Sequence, residues 1–446
     1  MIRTFSHGGV HPDDSKLSRE SAIEEFSLPE VAWISMAQHL GAPAQPAVAP
    51  GDEVMVGSVI GTPSGFMSAF VHSPYSGTVQ AVEPHADLAG NMVMHVAIKV
   101  EGDRWLESID RSTTLNRDIT LGAAEIIEKI KAAGVVGLGG AAFPTHIKLA
   151  PPPGKVAECL ILNGTECEPY LTSDDRIMRE RPREIIIGAV LLMKALGVKT
   201  CYIGIENNKP EAMASMNEAK GIFPSADIRV IPLKKKYPQG GEKQLINAIL
   251  RRDVPSLGLP VDAGAVVQNV GTSLAVYEAV QKNKPLIDNT LSVTGRGLKV
   301  QRNFKVRVGT PISALMKAAG EMPGGDIKII SGGPMMGKAV SNPEATTLKA
   351  TSSVLILTAE ETLRKAEGNC IRCGKCAQAC PMALKPWHLN ALARHGGMED
   401  EMEKAHIYDC IECGCCLYTC PANIPLLDVI RIAKADVVKI MRSRKK

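Results

Sequence analysis

The chain has 446 residues, too many for a single hydrophobic core, so several domains are expected. It is 45% hydrophobic and 22% charged with a formal net charge of +4, the balance of an ordinary globular protein. Scattered basic residues and only 4% aromatics argue against nucleic-acid binding, which needs a basic stripe and stacking platforms.

The amino terminus, "MIRTFSHGGVHPDD", lacks the apolar stretch of a secretory signal. The longest apolar run, "IIIGAVLLM", falls far short of the roughly 20 residues that span a bilayer. The chain is therefore expected in the cytoplasm, soluble or peripheral to a membrane. From residue 47 to about 100, "GDEVMVGSVIGT" and "VHSPYSGTVQAV" alternate apolar residues with Gly turns, which predicts short strands in a small barrel. It resembles a biotinyl/lipoyl-type barrel. Such domains carry their cofactor on a Lys, and none occurs between Lys16 and Lys99, so a packing or docking role is left.

Residues 132–149 read "AAGVVGLGGAAFPTHIKL". Gly137, Gly139 and Ala142 satisfy G-x-G-x-x-G/A, but the dinucleotide fingerprint must follow a strand. Here Ile126, Ile127 and Ile130 precede it at helical spacing, so the loop is not a standard fingerprint. Its glycines still permit close backbone approach to a flat ring or a phosphate, with Lys148 as a point charge. A tight turn between helices is the plain alternative. Next, "ECLIL" reads as a short buried strand, followed by the polar loop "NGTECEP". In open α/β sheets ligands collect beyond the carboxyl ends of strands, where an Asn and two Glu suit a flavin edge or a ribose; a surface turn is the alternative. Residues 291–340 give strands around one short helix, "PISALMKAAG".

Nine of the 12 Cys fall in "NCIRCGKCAQACP" and "DCIECGCCLYTCP", and eight of them repeat the spacing C-x2-C-x2-C-x3-C-P. Disulfide frameworks are not spaced this way, and zinc knuckles have no use for a third Cys two residues on. In the bacterial ferredoxin arrangement the fourth Cys ligates the other cluster. One [4Fe–4S] cluster is then expected on Cys370, Cys373, Cys376 and Cys420, and the other on Cys410, Cys413, Cys416 and Cys380. Cys415 falls outside the pattern, and Cys159, Cys167 and Cys201 have no ligand spacing. Two such clusters form a relay, and one-electron carriers meet two-electron donors at a flavin.

Together, "GVVGLGGAAFPTHIKL", "LNGTECEPYLTSDDR", "GGEKQL" at 240–245 and "VQNVGTSLAV" at 267–276 resemble the flavin- and NADH-binding subunit of respiratory complex I. With "TFSHGGVHPDDSK" near the start and the twin cysteine runs near the end, the chain resembles, over nearly its whole length, the RnfC family of Rnf electron-transport complexes. The resemblance implies non-covalent FMN at Gly137, Gly139, Gly140, Lys148, Asn163, Glu166, Glu242 and Asn269, with Phe143 and Glu168 on the NADH side. Thr165 and Lys243 replace acidic residues of the complex I subunit, and "APPPG" replaces an aromatic, which weakens the NADH contacts more than the FMN contacts.

The expected architecture is multidomain α/β: an N-terminal region with the biotinyl/lipoyl-like β-barrel (1–110), a central α/β flavin- and nucleotide-binding domain (111–287), a β-grasp domain (288–345) and a helical ferredoxin-like two-cluster domain (355–446). The implied function is a peripheral subunit on the cytoplasmic face of the cell membrane. It would pass electrons between NAD(H), FMN and two [4Fe–4S] clusters in a ferredoxin:NAD+ oxidoreductase. Its partners would be integral membrane subunits and an iron–sulfur subunit that receives electrons from ferredoxin, with the barrel and the basic tail "RSRKK" as docking surfaces. The alternative is a soluble flavin/iron–sulfur reductase of the cobalamin reductase type. Those share the glycine loop and cysteine runs but begin near the glycine loop, so the N-terminal barrel favours the complex.

Overall fold

Apolar runs such as Cys-Leu-Ile-Leu at 159–162 are buried on both faces, as strands of a covered parallel sheet must be. The computed structural model, which describes residues 2–320 and 326–444, places Cys159–Gly164, Thr200–Glu206, Asp227–Leu233 and Ala265–Asn269 in one parallel sheet. Lys445 and Lys446 of the basic tail lie outside the described residues. The spatial order is Asp227–Leu233, Thr200–Glu206, Cys159–Gly164, Ala265–Asn269. The chain thus steps outward twice from the Cys159 strand and then crosses to its other side. Such a reversal is where a ligand crevice forms in open α/β sheets, here beyond the carboxyl ends of Cys159–Gly164 and Ala265–Asn269.

Helices cover both faces. On one, Pro182–Leu196 crosses Val270–Gln281 so closely that a Cβ on Gly188 would stand 1.8 Å from the Ser273 carbonyl oxygen. On the other, Leu245, Ile246 and Ile249 of Glu242–Leu250 pack on Ile161, Leu233 and Val267.

Toward the N-terminus, Val31–Ser35, Met92–Val100, Gly77–Ala86 and Glu53–Val54 form one antiparallel sheet, and Gln45–Pro46, Val59–Thr62 and Val71–His72 another. They share a core of Ile34, Met36, Ile60, Tyr75, Val96 and Ile98. A mixed sheet follows, ordered Ile23–Glu25, Arg302–Arg307, Asp288–Thr294, Ser353–Thr358, Ile327–Ser331, Lys338–Ala339, with the helix Ile312–Ala318 packed on it through Ile312 and Leu315. This sheet runs past residue 345, because the buried run Ser353–Thr358 pairs with strands on both its sides. It also takes Ile23–Glu25 from the N-terminal region as an edge. The carboxyl-terminal part is helical, with Pro386–His395, Glu399–Lys404 and Leu426–Ser443 around short turns after each cysteine run. Among the described residues, no helix is long and apolar enough to cross a membrane.

Candidate functional site

Asn163 and Asn269 are register partners at the carboxyl ends of the two strands flanking the crevice. Asn269 also begins the helix Val270–Gln281: its Oδ1 accepts from the Gly271 amide at 2.7 Å, satisfying a free helix-end donor, while Nδ2 donates to Asp174 Oδ2 at 2.7 Å. The glycine loop rests on this Asn. Gly139 has φ +74°, and a Cβ there would meet Asn269 Nδ2 at 2.9 Å. The Leu138 amide donates to Thr272 Oγ1 at 2.9 Å, and the Gly137 amide closes the loop onto the Phe143 carbonyl at 2.8 Å. Gly139 and Gly140 are exposed at the loop tip, where a Cβ on Gly140 would touch nothing within 4 Å; Phe143 is half-buried. Lys148 Nζ lies 2.7 Å from Glu242 Oε1 and 3.1 Å from the Val267 carbonyl, and Asn163 Nδ2 donates to the Gly240 carbonyl at 2.9 Å. Gly139, Lys148, Asn163, Glu242 and Asn269, far apart in sequence, thus converge at one sheet edge. Open backbone above, amide side chains below and a cation to one side fit a flat ring carrying a phosphate.

The two glutamates of the "NGTECEP" loop are engaged inside the protein. Glu166, buried at φ +44°, accepts from the amides of Asp174 (2.7 Å) and Asp175 (3.2 Å) and so caps the helix Ser173–Glu180. Glu168 accepts from the amides of Met335 (3.0 Å) and Met336 (2.9 Å) and from the Tyr237 hydroxyl (3.4 Å), tying the loop to the mixed-sheet domain. Burial pushes the Glu168 carboxyl up to about 7. Burial and the charge of Glu166 push Asp174 up to about 7 as well.

Sequence reasoning missed the cations beneath this loop. Lys16 Nζ donates to the carbonyls of Glu166, Glu168 and Leu171, and Lys209 Nζ to that of Thr165 at 2.7 Å. Partners 150 residues away leave no local signature. The two departures from the complex I pattern acquire partners. Thr165 donates its hydroxyl to Asn163 Oδ1 at 2.7 Å, and Lys243 stands 3.8 Å from Asp409, next to Cys410.

Cys410, Cys413 and Cys416 line an apolar cavity together with Cys380 of the first run, beside Leu389, Leu427 and Ile430. Cys376 and Cys420 lie in the same hydrophobic cluster, and Cys370 and Cys373 are exposed. The two runs follow the same backbone course: Arg372 and Glu412 have φ +57° and +56°, and Gly374 and Gly414 have +73° and +77°. Burial pushes the Cys410 thiol up to about 11 and raises Cys376 and Cys380. Thiols arrayed around an apolar cavity fit an iron–sulfur cube. Cys415, fully buried, borders the same cavity and points its Sγ at the Tyr237 carbonyl, 3.9 Å away.

Residues 4–103 match the RnfC barrel sandwich hybrid domain, 130–278 the Nuo51 FMN-binding domain and 362–421 the 4Fe-4S dicluster domain. The chain is 42% identical, over 98% of its length and 94% of the relative's, to the C subunit of the proton-translocating ferredoxin:NAD(+) oxidoreductase complex of Clostridium ljungdahlii. It is 42% identical, over 97% of its length and 96% of the relative's, to the C subunit of the Na(+)-translocating ferredoxin:NAD(+) oxidoreductase complex of Acetobacterium woodii. A crystal structure of NAD+-reducing [NiFe]-hydrogenase in the H2-reduced state aligns with TM-score 0.48 and 18% identity, over 70% of this chain and 62% of that one. The chain belongs to the RnfC family, the C subunits of the ion-translocating ferredoxin:NAD+ oxidoreductase, or Rnf, complexes.

Proposed function

We propose that this chain passes electrons between NAD(H), a non-covalently bound FMN and two [4Fe–4S] clusters, as the NADH-side subunit of a ferredoxin:NAD+ oxidoreductase. It docks at the cytoplasmic face of the membrane on integral membrane subunits and on an iron–sulfur subunit that takes electrons from ferredoxin. FMN, when bound, supplies the exchange between a two-electron hydride carrier and one-electron centres.

The observation that carries this reading is a juxtaposition. Tyr237 links the loop that follows the Cys159–Gly164 strand to the cysteine-lined cavity: its hydroxyl meets Glu168 and its carbonyl meets Cys415. Around the flavin, the backbone at Gly137, Gly139 and Gly140 gives close approach, Lys148 and Glu242 set the charge, and Asn163 and Asn269 supply hydrogen bonds. Glu166 holds the loop through the helix it caps, and Phe143 and Glu168 belong to the NADH side. Cys370, Cys373, Cys376 and Cys420 hold one cluster, and Cys410, Cys413, Cys416 and Cys380 the other.

The isolated protein should reduce an artificial dye with NADH. Ferredoxin-linked NAD+ reduction should appear only in membranes that hold the other subunits. Reduction of NAD+ by ferredoxin with the purified chain alone would remove the membrane part of the proposal. Failure of NADH with the dye, alongside activity toward a corrinoid acceptor, would replace it with the cobalamin reductase reading.

A further inference from the structure

The motif "TFSHGGVHPDDSK" carries part of the family resemblance but has no role in the electron path proposed above. In the structure, residues 3–21 form an arm laid across three parts of the molecule. Arg3 pairs with the sheet edge at Leu233, and Val10 pairs with Tyr237. Between them, Gly8 and Gly9 adopt φ +67° and +88°. They pass so close to the first cysteine run that a Cβ on Gly8 would lie 2.5 Å from the backbone carbonyl of Cys380. The Gly9 amide donates to the Ala379 carbonyl at 2.9 Å. Farther along, the Asp14 carbonyl accepts from the Tyr170 amide at 2.9 Å. Lys16 then turns inward and donates to the carbonyls of Glu166 (2.8 Å), Glu168 (2.9 Å) and Leu171 (2.6 Å). The arm ends at the mixed sheet, where Asn303 Nδ2 donates to the carbonyls of Ser18 (2.7 Å) and Ser21 (3.0 Å).

A buried ammonium is costly unless its donors are matched. Lys16 matches them with three carbonyls of a single loop, one of them on Glu166, whose left-handed backbone is strained for a residue with a side chain. Such a cation fixes the loop's shape: without it three inward-facing carbonyls lose their donor and the loop has reason to turn over. At the other site, no side chain fits where the arm crosses Cys380, so the crossing itself holds that backbone in place.

We propose that the arm is a positioning strap serving both redox sites. Lys16 holds the loop at residues 163–171 in the shape that receives the flavin, and Gly8 and Gly9 hold Cys380 in place for its cluster. This inference rests on the flavin and cluster reading above.

The test uses the full-length, cluster-loaded protein with Lys16→Met, Gly8→Ala and a comparator, Lys282→Met. Lys282 is a buried lysine that donates to Asp110 Oδ2 (2.6 Å) and the Thr114 carbonyl (2.7 Å), away from both sites. The readouts are the FMN dissociation constant by fluorescence, the EPR spectrum of the dithionite-reduced clusters and the melting temperature. Lys16→Met should weaken FMN about tenfold or more, the size of losing a charge-assisted hydrogen bond, and leave the EPR spectrum unchanged. Gly8→Ala should alter the signal of one cluster at native FMN affinity. Lys282→Met should lower only the melting temperature. If Lys16→Met does not fold, Lys16→Gln, which keeps two of the three donors, should give an intermediate weakening. Native FMN affinity in the Lys16 variants, equal weakening by Lys282→Met, or an unchanged EPR spectrum in Gly8→Ala overturns the strap. A wild-type protein that binds no FMN contradicts the proposed function itself, which is a separate result.

Discussion

Gly139→Val is the sharpest perturbation of the crevice. At φ +74° a residue with a Cβ is strained by about 1–2 kcal/mol, and the β-branched Val tolerates that backbone least. Its Cβ would sit 2.9 Å from Asn269 Nδ2, so Asn269 must move. Moving it removes the cap of Val270–Gln281, about 1 kcal/mol, and the donor to half-buried Asp174, about 1–3 kcal/mol. The full sum arises only if the loop stays in place. The loop tip is exposed, so it can swing outward instead, and the fold, with a typical stability of about 5–15 kcal/mol, survives. The flavin then loses the backbone that approaches it. FMN affinity should fall about 100-fold, equivalent to about 2.7 kcal/mol, and Gly139→Ala should give a smaller loss. Fluorescence titration of the flavin-free protein measures both, with a thermal melt as the control for folding. Native FMN affinity in Gly139→Val would show that the glycine loop does not face the flavin.

The intact, anaerobically purified chain should hold about eight iron and eight acid-labile sulfide. Cys416→Ser should lower that count by iron assay and Cys415→Ser should not; stoichiometric zinc without sulfide would remove the cluster assignment. Glu168→Ala should weaken NADH use more than FMN content, read by steady-state kinetics against flavin stoichiometry. Asp174 and Glu168 have folded pKa values raised to about 7, so the stability they contribute is complete below their unfolded values near 4 and is lost as pH rises through 7. The melting temperature of the flavin-free protein should therefore fall between pH 5 and 8. Asp174→Asn should flatten that slope, and an unchanged slope would refute the burial argument.

The cysteine runs were legible because ligand spacing is a local property, and in the fold Cys380 lines one cavity together with Cys410, Cys413, Cys415 and Cys416. The strand ending at Gly164 was legible from its apolar run and the polar loop after it. Periodicity does not reveal pairing between distant segments. Nothing in "SAIEEF" says that Ile23–Glu25 will extend the mixed sheet. Nothing in "TSDDR" says that Asp174 will accept a hydrogen bond from Asn269, 95 residues away. Glu166 and Glu168 read as outward ligands because exposed loop carboxylates usually are. Their engagement with Asp174 and Met335 depends on tertiary contacts that the sequence does not display.

The most direct test of the central claim is an anaerobic NADH titration of the purified, FMN-loaded protein, with flavin absorbance and cluster EPR followed on the same samples. The account predicts that flavin absorbance bleaches and that the signals of reduced [4Fe–4S] clusters then grow in. Clusters that dithionite reduces but NADH does not, with the flavin bound, would contradict it.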